Sequence, residues 1–326
     1  MTQFSHRTIK TNGINMHVAE AAPNGSTAGK PVVFVHGFPE LWRSWRKQMP
    51  AVAEAGYRAV APDMRGYGQT DAPRNVTDYD VHHLTGDLCG LLDDLEVDKA
   101  VFVGHDWGAW AMWFMTLLHP DRVEALVNIS VAYAQRSEKP PMQFAKEVFG
   151  DIFFYQLYFQ DVGPADEELA KDVRRTVLKF AWSVSGEAGA PEVRSLNVQK
   201  VGEGGFLDML SDPPHDLDWF TDEDLEYFVR EFSRTGYFGP LSWYRNIDRN
   251  WETTPQLDGA KPQQPVLFIA GSNDPVIRML SPDPMRETVP NLRDILIVDG
   301  PGHWIHMEKP EPVNEAILGF LKDVGY

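Results

Sequence analysis

Gly104-His105-Asp106-Trp107-Gly108 sets an acid between two glycines, where the apolar run Val101-Phe102-Val103 gives way to the bulky helical stretch Ala109–Leu118. A turn this sharp from strand to helix strains its central residue and needs small neighbours, which Gly104 and Gly108 supply. The Asp106 side chain is then expected at the carboxyl edge of a sheet, close to a helix N-terminus. A hydroxyl in that place needs a base before it can attack. A carboxyl group, with an ordinary pKa of about 3.9, is already ionised at neutral pH and can attack a saturated carbon directly, leaving an alkyl ester. A base enters only afterwards, to bring water onto that ester. The plain alternative is a helix N-cap, the usual role of Asp at a helix start. The Gly-x-Asp-x-Gly spacing is common in loops, so the strand before it and the helix after it carry the argument.

Those elements recur along the chain. Thr8–Thr11 and Ile14–Val18 flank Asn12-Gly13, a dipeptide that favours a two-residue hairpin turn. Val32–Val35, Ala59–Ala61, Val101–Val103 and Ala125–Ile129 are short apolar runs of the kind buried parallel strands show, and helical stretches such as Leu84–Leu95 separate them. Strands alternating with helices predict an α/β fold, a mostly parallel central sheet with helices on both faces.

The rhythm breaks near Ser137-Glu138-Lys139-Pro140-Pro141. From there the chain is aromatic-rich and helical in pattern, with loops expected at Ser185–Pro191, Gly202–Gly205 and Asp212–Asp216. One helix is clear: Thr221 can cap it, Asp222, Glu223 and Asp224 suit its positive end, and Gly236 can stop it. Strand-like runs return at Pro265–Ala270 and Asp294–Val298, before a last helix around Pro312–Leu321. The simplest account is one core, residues 1–135 and 249–326, interrupted by a helical cap, residues 136–248.

Composition excludes several function classes. The 326 residues carry a net charge of −17 with no basic block to offset it, so neither nucleic acid nor a membrane surface is an expected partner. No apolar run is long enough to cross a bilayer, and the first residues lack the apolar core of a signal peptide. The single cysteine, Cys89, excludes an internal disulfide framework, reads as a small buried hydrophobe and favours the cytoplasm.

With His36-Gly37-Phe38-Pro39 after the strand Val32–Val35, with Asp63-Met64-Arg65-Gly66-Tyr67-Gly68, and with the His105-Asp106-Trp107-Gly108 elbow, the chain resembles the α/β-hydrolase superfamily. More narrowly it is similar to the epoxide hydrolases, including the hydrolase domain of the mammalian soluble enzyme. The likeness extends into the cap, through Phe154-Tyr155-Gln156-Leu157-Tyr158-Phe159-Gln160 and Phe238-Gly239-Pro240-Leu241-Ser242-Trp243-Tyr244-Arg245-Asn246. It implies opening of a small-molecule epoxide to a vicinal diol by water, with no cofactor and no metal. Asp106 would be the nucleophile, His303 the base that activates water, and Asp274 the acid that orients His303. Tyr155 and Tyr244 would assist the epoxide oxygen from the cap. The backbone N–H groups of Phe38 and Trp107 would form an oxyanion hole while their side chains meet substrate. A homodimer is left open.

Each residue has an ordinary reading beside this one. His36 and His105 sit where an imidazole more often braces a loop. His306 follows His303 by three, but no third ligand at metal spacing accompanies them, which argues against zinc. Asp248 and Asp299 are rivals of Asp274 that do not fall just beyond a strand in the expected order. Spacing alone would make Tyr155, Tyr158, Tyr237 and Tyr244 all packing residues, and only the resemblance selects two of them. Trp107, Trp110, Trp182 and Trp243 read as pocket wall or core.

Two other functions compete. A haloalkane or haloacetate dehalogenase of the same fold also attacks carbon with Asp, but it tends to carry a polar residue where Phe38 stands and has no use for paired tyrosines. A non-catalytic ligand-binding protein could keep the scaffold, yet it need not keep all five side chains.

Overall fold

The computed structural model describes residues 4–22, 29–189 and 199–326. The first three residues, used in the signal-peptide reading, and the last two of the loop expected at 185–191 lie outside these. Eight strands form one sheet: β1 (Ser5–Thr11), β2 (Ile14–Ala21), β3 (Pro31–Val35), β4 (Arg58–Pro62), β5 (Ala100–His105), β6 (Val123–Ile129), β7 (Val266–Gly271) and β8 (Leu292–Val298), in the order β1-β2-β4-β3-β5-β6-β7-β8. The hairpin β1–β2 pairs antiparallel across Asn12-Gly13, and β2 pairs antiparallel with β4. All remaining pairings are parallel.

The apolar runs follow from burial on both faces. Along β5, Ala100 and Phe102 enter one hydrophobic core while Val101 and Val103 enter the other. A strand with no solvent face has no reason to alternate in polarity, so it reads as a continuous run. The two edge strands, β1 and β8, are the substantially exposed ones.

Between β6 and β7 the described residues form helices and short turns, apart from one isolated bridge between Ile152 and Lys200. The predicted helix spans Asp222–Thr235, capped by Thr221 with Asp224 in reciprocal contact, and ends at Gly236. Its Leu225, Phe228 and Phe232 are buried as their spacing requires. Among the described residues no helix is long and apolar enough to cross a membrane.

Candidate active site

β5 ends at His105 and a helix begins at Trp107, leaving Asp106 alone in the bend with φ +51° and ψ −122°. That is a left-handed conformation which costs a non-glycine residue of order 1–3 kcal/mol. The Asp106 side chain makes no capping bond to the helix it precedes. It therefore stands at the N-cap position without the side-chain capping role that the position alone would suggest. Gly108 is required by close approach, since a Cβ there would lie 2.1 Å from the Val35 carbonyl oxygen.

Three segments converge on this carboxylate. The Phe38 backbone N–H donates to Asp106 Oδ1 at 2.7 Å. Trp107 opens the following helix, so its N–H has no carbonyl partner within that helix. His303 Nε2 stands 3.4 Å from Asp106 Oδ2, while His303 Nδ1 meets the Asp274 carboxylate at 3.1 and 3.2 Å. Asp274 follows β7 and caps the next helix through the Val276 N–H at 2.8 Å. The carboxyl ends of β5 and β7 and the loop after β8 thus bring Asp106, Asp274 and His303 together, where open parallel sheets commonly bind ligands.

The electrostatics fit the geometry. Burial pulls the His303 pKa down, but the Asp274 charge and the Asp106 carboxylate outweigh it and hold the imidazole well above its usual value. Burial pushes Asp274 up, yet His303 and bonds from Ser130 and the Val276 amide keep it below the ordinary carboxyl range. An imidazole held between two carboxylates stores a proton, and it becomes a base only when one of those charges disappears.

Asp106 lines a cavity of about 420 Å³. Trp107, Tyr155 and Tyr244 line it as well, and its apolar wall includes Trp110, Phe114, Leu117, Met142, Ile247 and Leu280. The Tyr155 and Tyr244 rings are 6.1 Å apart, and the Tyr155 hydroxyl accepts from Gln156 Nε2 at 3.0 Å. Burial, with the nearby Asp106 charge, raises Tyr155 to about 12 and Tyr244 well above its ordinary value. Both are protonated donors at neutral pH.

Other expectations fall as follows. Tyr158 and Tyr237 are not among the cavity-lining residues, and Tyr237 stacks on Phe232. Trp107 and Trp110 line the cavity, Trp243 is buried, and Trp182 packs edge-on against His215. The Phe38 ring is buried against Phe159, Phe180 and Tyr244 and does not line the cavity; it is the Phe38 amide that reaches Asp106. Asp248 accepts from the Met142 N–H and Asp299 from the Ser272 hydroxyl, whereas the carboxylates that meet His303 are Asp274 and Asp106. His36 braces its loop, accepting from the Met64 N–H at 2.9 Å.

The sequence reading missed two residues, Glu40 and Glu308, while His105 takes the bracing role expected of it. Glu40 and His105 lie beside His306, and their ligand atoms all fall within 4.8 Å of one another. The absence of a third ligand by spacing therefore does not hold in space. Glu40 Oε1 is already bonded to His105 Nδ1 at 2.8 Å, and Glu40 Oε2 accepts the Gly37 N–H at 2.7 Å. The second missed residue is Glu308, whose carboxylate accepts the Gly302 N–H beside His303. In sequence, Glu40 in His36-Gly37-Phe38-Pro39-Glu40 was the one available signal, an acid in a motif otherwise suited to burial.

Residues 30–310 match the family described as alpha/beta hydrolase fold. The chain is 44% identical over 319 residues to epoxide hydrolase A of Mycobacterium tuberculosis, covering 97% of each protein. It is 36% identical to the bifunctional epoxide hydrolase 2 of Rattus norvegicus, covering 95% of this chain and 54% of that protein. Among solved structures, epoxide hydrolase A from Mycobacterium thermoresistibile superposes with a TM-score of 0.92 at 43% identity, covering 98% of both chains. The chain belongs to the alpha/beta hydrolase fold family and, within it, to the epoxide hydrolases.

Proposed function

We propose that this enzyme opens an epoxide to a vicinal diol through an ester on Asp106. An Asp106 oxygen attacks an epoxide carbon and the ring C–O bond breaks. The departing oxygen is an alkoxide, a strong base, and it takes its proton from the Tyr155–Tyr244 pair. Esterification removes the negative charge facing His303 Nε2, so the imidazole gives up its stored proton, the phenolate left on the tyrosine pair is reprotonated, and His303 can act as base. His303 takes a proton from water, the resulting hydroxide attacks the ester carbonyl, and the Phe38 and Trp107 amides stabilise the tetrahedral oxyanion. Collapse of that intermediate breaks the acyl C–O bond, and the departing alkoxide takes the proton of the newly formed carboxyl group. The diol leaves and the Asp106 carboxylate returns with one solvent oxygen.

Residues 136–248 would form the cap that carries the two tyrosines, over a core of residues 1–135 and 249–326. A small-molecule epoxide and water are the partners this reading requires. The cytoplasm is the compartment it favours, on the single half-buried cysteine.

The observation that carries the reading is Asp106 itself. It is a strained carboxylate that does not cap its helix and lies 3.4 Å from an imidazole backed by a second acid. A single turnover in oxygen-18 water with enzyme in excess tests it. The first diol should carry no heavy oxygen, and Asp106 should acquire it. Heavy oxygen in that first diol would mean direct hydration and would end the ester mechanism.

A further inference from the structure

The loop that presents His303 is stitched to the helical insertion by its backbone. The His303 N–H donates to the Val184 carbonyl at 2.8 Å, and Trp304 Nε1 donates to the Ala181 carbonyl at 3.0 Å, both at the end of the helix Val173–Ser183. Where the two segments come closest, backbone meets backbone. A Cβ at Gly186 would lie 2.2 Å from the Gly300 carbonyl oxygen, and one at Gly302 would lie 2.3 Å from that of Val184. One carboxylate closes this contact. Glu308 accepts the Gly186 N–H from the insertion at 2.8 Å and the Gly302 N–H from the His303 loop at 3.2 Å.

We propose that Glu308 is a positioning residue for His303, a clip that holds the base in line with Asp106 only while the insertion is seated on the core. The inference rests on the ester mechanism above, because it concerns the step in which His303 acts. Amides 302 and 303 each point to a different anchor, one to Glu308 and one to the insertion. Releasing Glu308 frees the first anchor on the loop side and the Gly186 anchor on the insertion side together. Ester formation needs Asp106 and the tyrosines, so it should not feel this loss, whereas ester hydrolysis should.

The clip works as a charged acceptor. Burial, with a smaller push from Glu187, raises the Glu308 pKa to about 7 against the pull of the Gly186, Gly302 and Trp304 amides. The charged and titratable groups around it are few. Glu187 on the insertion lies 3.8 Å from His215 Nε2, and Lys47 donates to the neighbouring Met307 carbonyl. Lys309 follows Glu308 directly in sequence, and His306 and Glu311 lie two and three residues away, with His306 turned to Glu40. A carboxyl with a raised folded-state pKa favours its neutral form, so its ionised form above that pKa gains the fold nothing through charge. Charge-neutral Gln should therefore not lower the thermal midpoint at high pH, which separates positioning from stability.

The test is rapid-quench single turnover on styrene oxide, with mass spectrometry of the Asp106 peptide, for wild type, E308Q and E308D. In E308Q, ester formation should stay within about twofold while ester hydrolysis slows about tenfold or more near pH 8, the scale expected for a slightly misplaced catalytic group. The deficit should shrink below about pH 6, where wild-type Glu308 is itself protonated. E308D keeps the charge but is one methylene too short to bridge both amides. It should slow the same step and serves if E308Q folds poorly. Equal slowing of both steps, or no slowing of hydrolysis, would overturn the proposal. A wild-type enzyme that never esterifies Asp106 would remove the underlying mechanism, and the clip with it, a result visible without any variant.

Discussion

Two clusters of carboxylate and imidazole lie back to back, with the His303 and His105 rings 4.6 Å apart. In one, Asp106 and Asp274 flank His303; in the other, Glu40 meets His105 and His306. The residue types are nearly interchangeable. Access and backbone strain separate them. Asp106 keeps 16% of its side chain accessible and faces a cavity, whereas Glu40 keeps 1% and both its histidines 0%. His303 holds its proton because it sits between two acids, while His306 is pushed down to about 4, first by burial and then by His105. The same chemistry makes a site when a strained elbow exposes it and a brace when the fold seals it.

The largest break in that comparison is Asp106→Ala. Turnover should fall by about 10⁴-fold or more, as loss of a nucleophile does elsewhere. Because the residue occupies a strained left-handed conformation, Asp106→Gly should lose the same activity yet gain about 1–3 kcal/mol of stability. Activity assays alongside denaturant midpoints check both, and a destabilised glycine variant would show that the elbow carries no strain. Next comes Phe at both Tyr155 and Tyr244, which should slow ester formation by about 10³-fold, with single variants each near 10²-fold. Because burial holds both phenols above their ordinary values, wild-type ester formation should not fall off below about pH 10. His303→Gln should esterify at close to the normal rate and then stall, with hydrolysis slowed by about 10³-fold. Steady turnover without a trapped ester would take His303 out of the base role.

The sealed cluster should respond in stability instead. Glu40→Ala leaves His105 and the Gly37 amide without their acceptor, and breaking a buried pair of this kind costs roughly 3–5 kcal/mol. Urea unfolding measures it, and a cost near zero would mean that the cluster braces nothing.

These differences also explain what the sequence could disclose. The strands were legible because parallel strands buried on both faces leave apolar runs, and Asn12-Gly13 marked the hairpin β1–β2. Asp106 was legible because an elbow must have glycines around it. His303 and Asp274 needed the order of the strands, and Tyr155 and Tyr244 needed a resemblance, since crowded aromatics look alike whether they face a cavity or a core. Glu40, His105 and His306 were not legible as a group because 65 residues separate Glu40 from His105, and no local period links them. Glu308 was hidden for a different reason. Its partners are backbone amides, which carry no sequence signal at all.

The smallest expected effect sharpens the comparison through pH. His306 is held neutral in the fold with a pKa of about 4, whereas an unfolded histidine titrates near 6.5. Between those values the unfolded chain takes up a proton that the folded chain refuses. Stability from this group is therefore present above about pH 6.5 and is lost as pH falls toward 4, by about 3 kcal/mol at most. His303 works in the opposite direction, because its folded pKa is raised and its contribution disappears as pH rises. His306→Gln removes the first slope and leaves the second. Urea midpoints at about pH 7 and pH 4.5 should then converge for the variant relative to wild type, with turnover at neutral pH little changed. Parallel slopes in the two proteins would show that the sealed imidazole is not kept neutral, and the contrast between the two clusters would reduce to access alone.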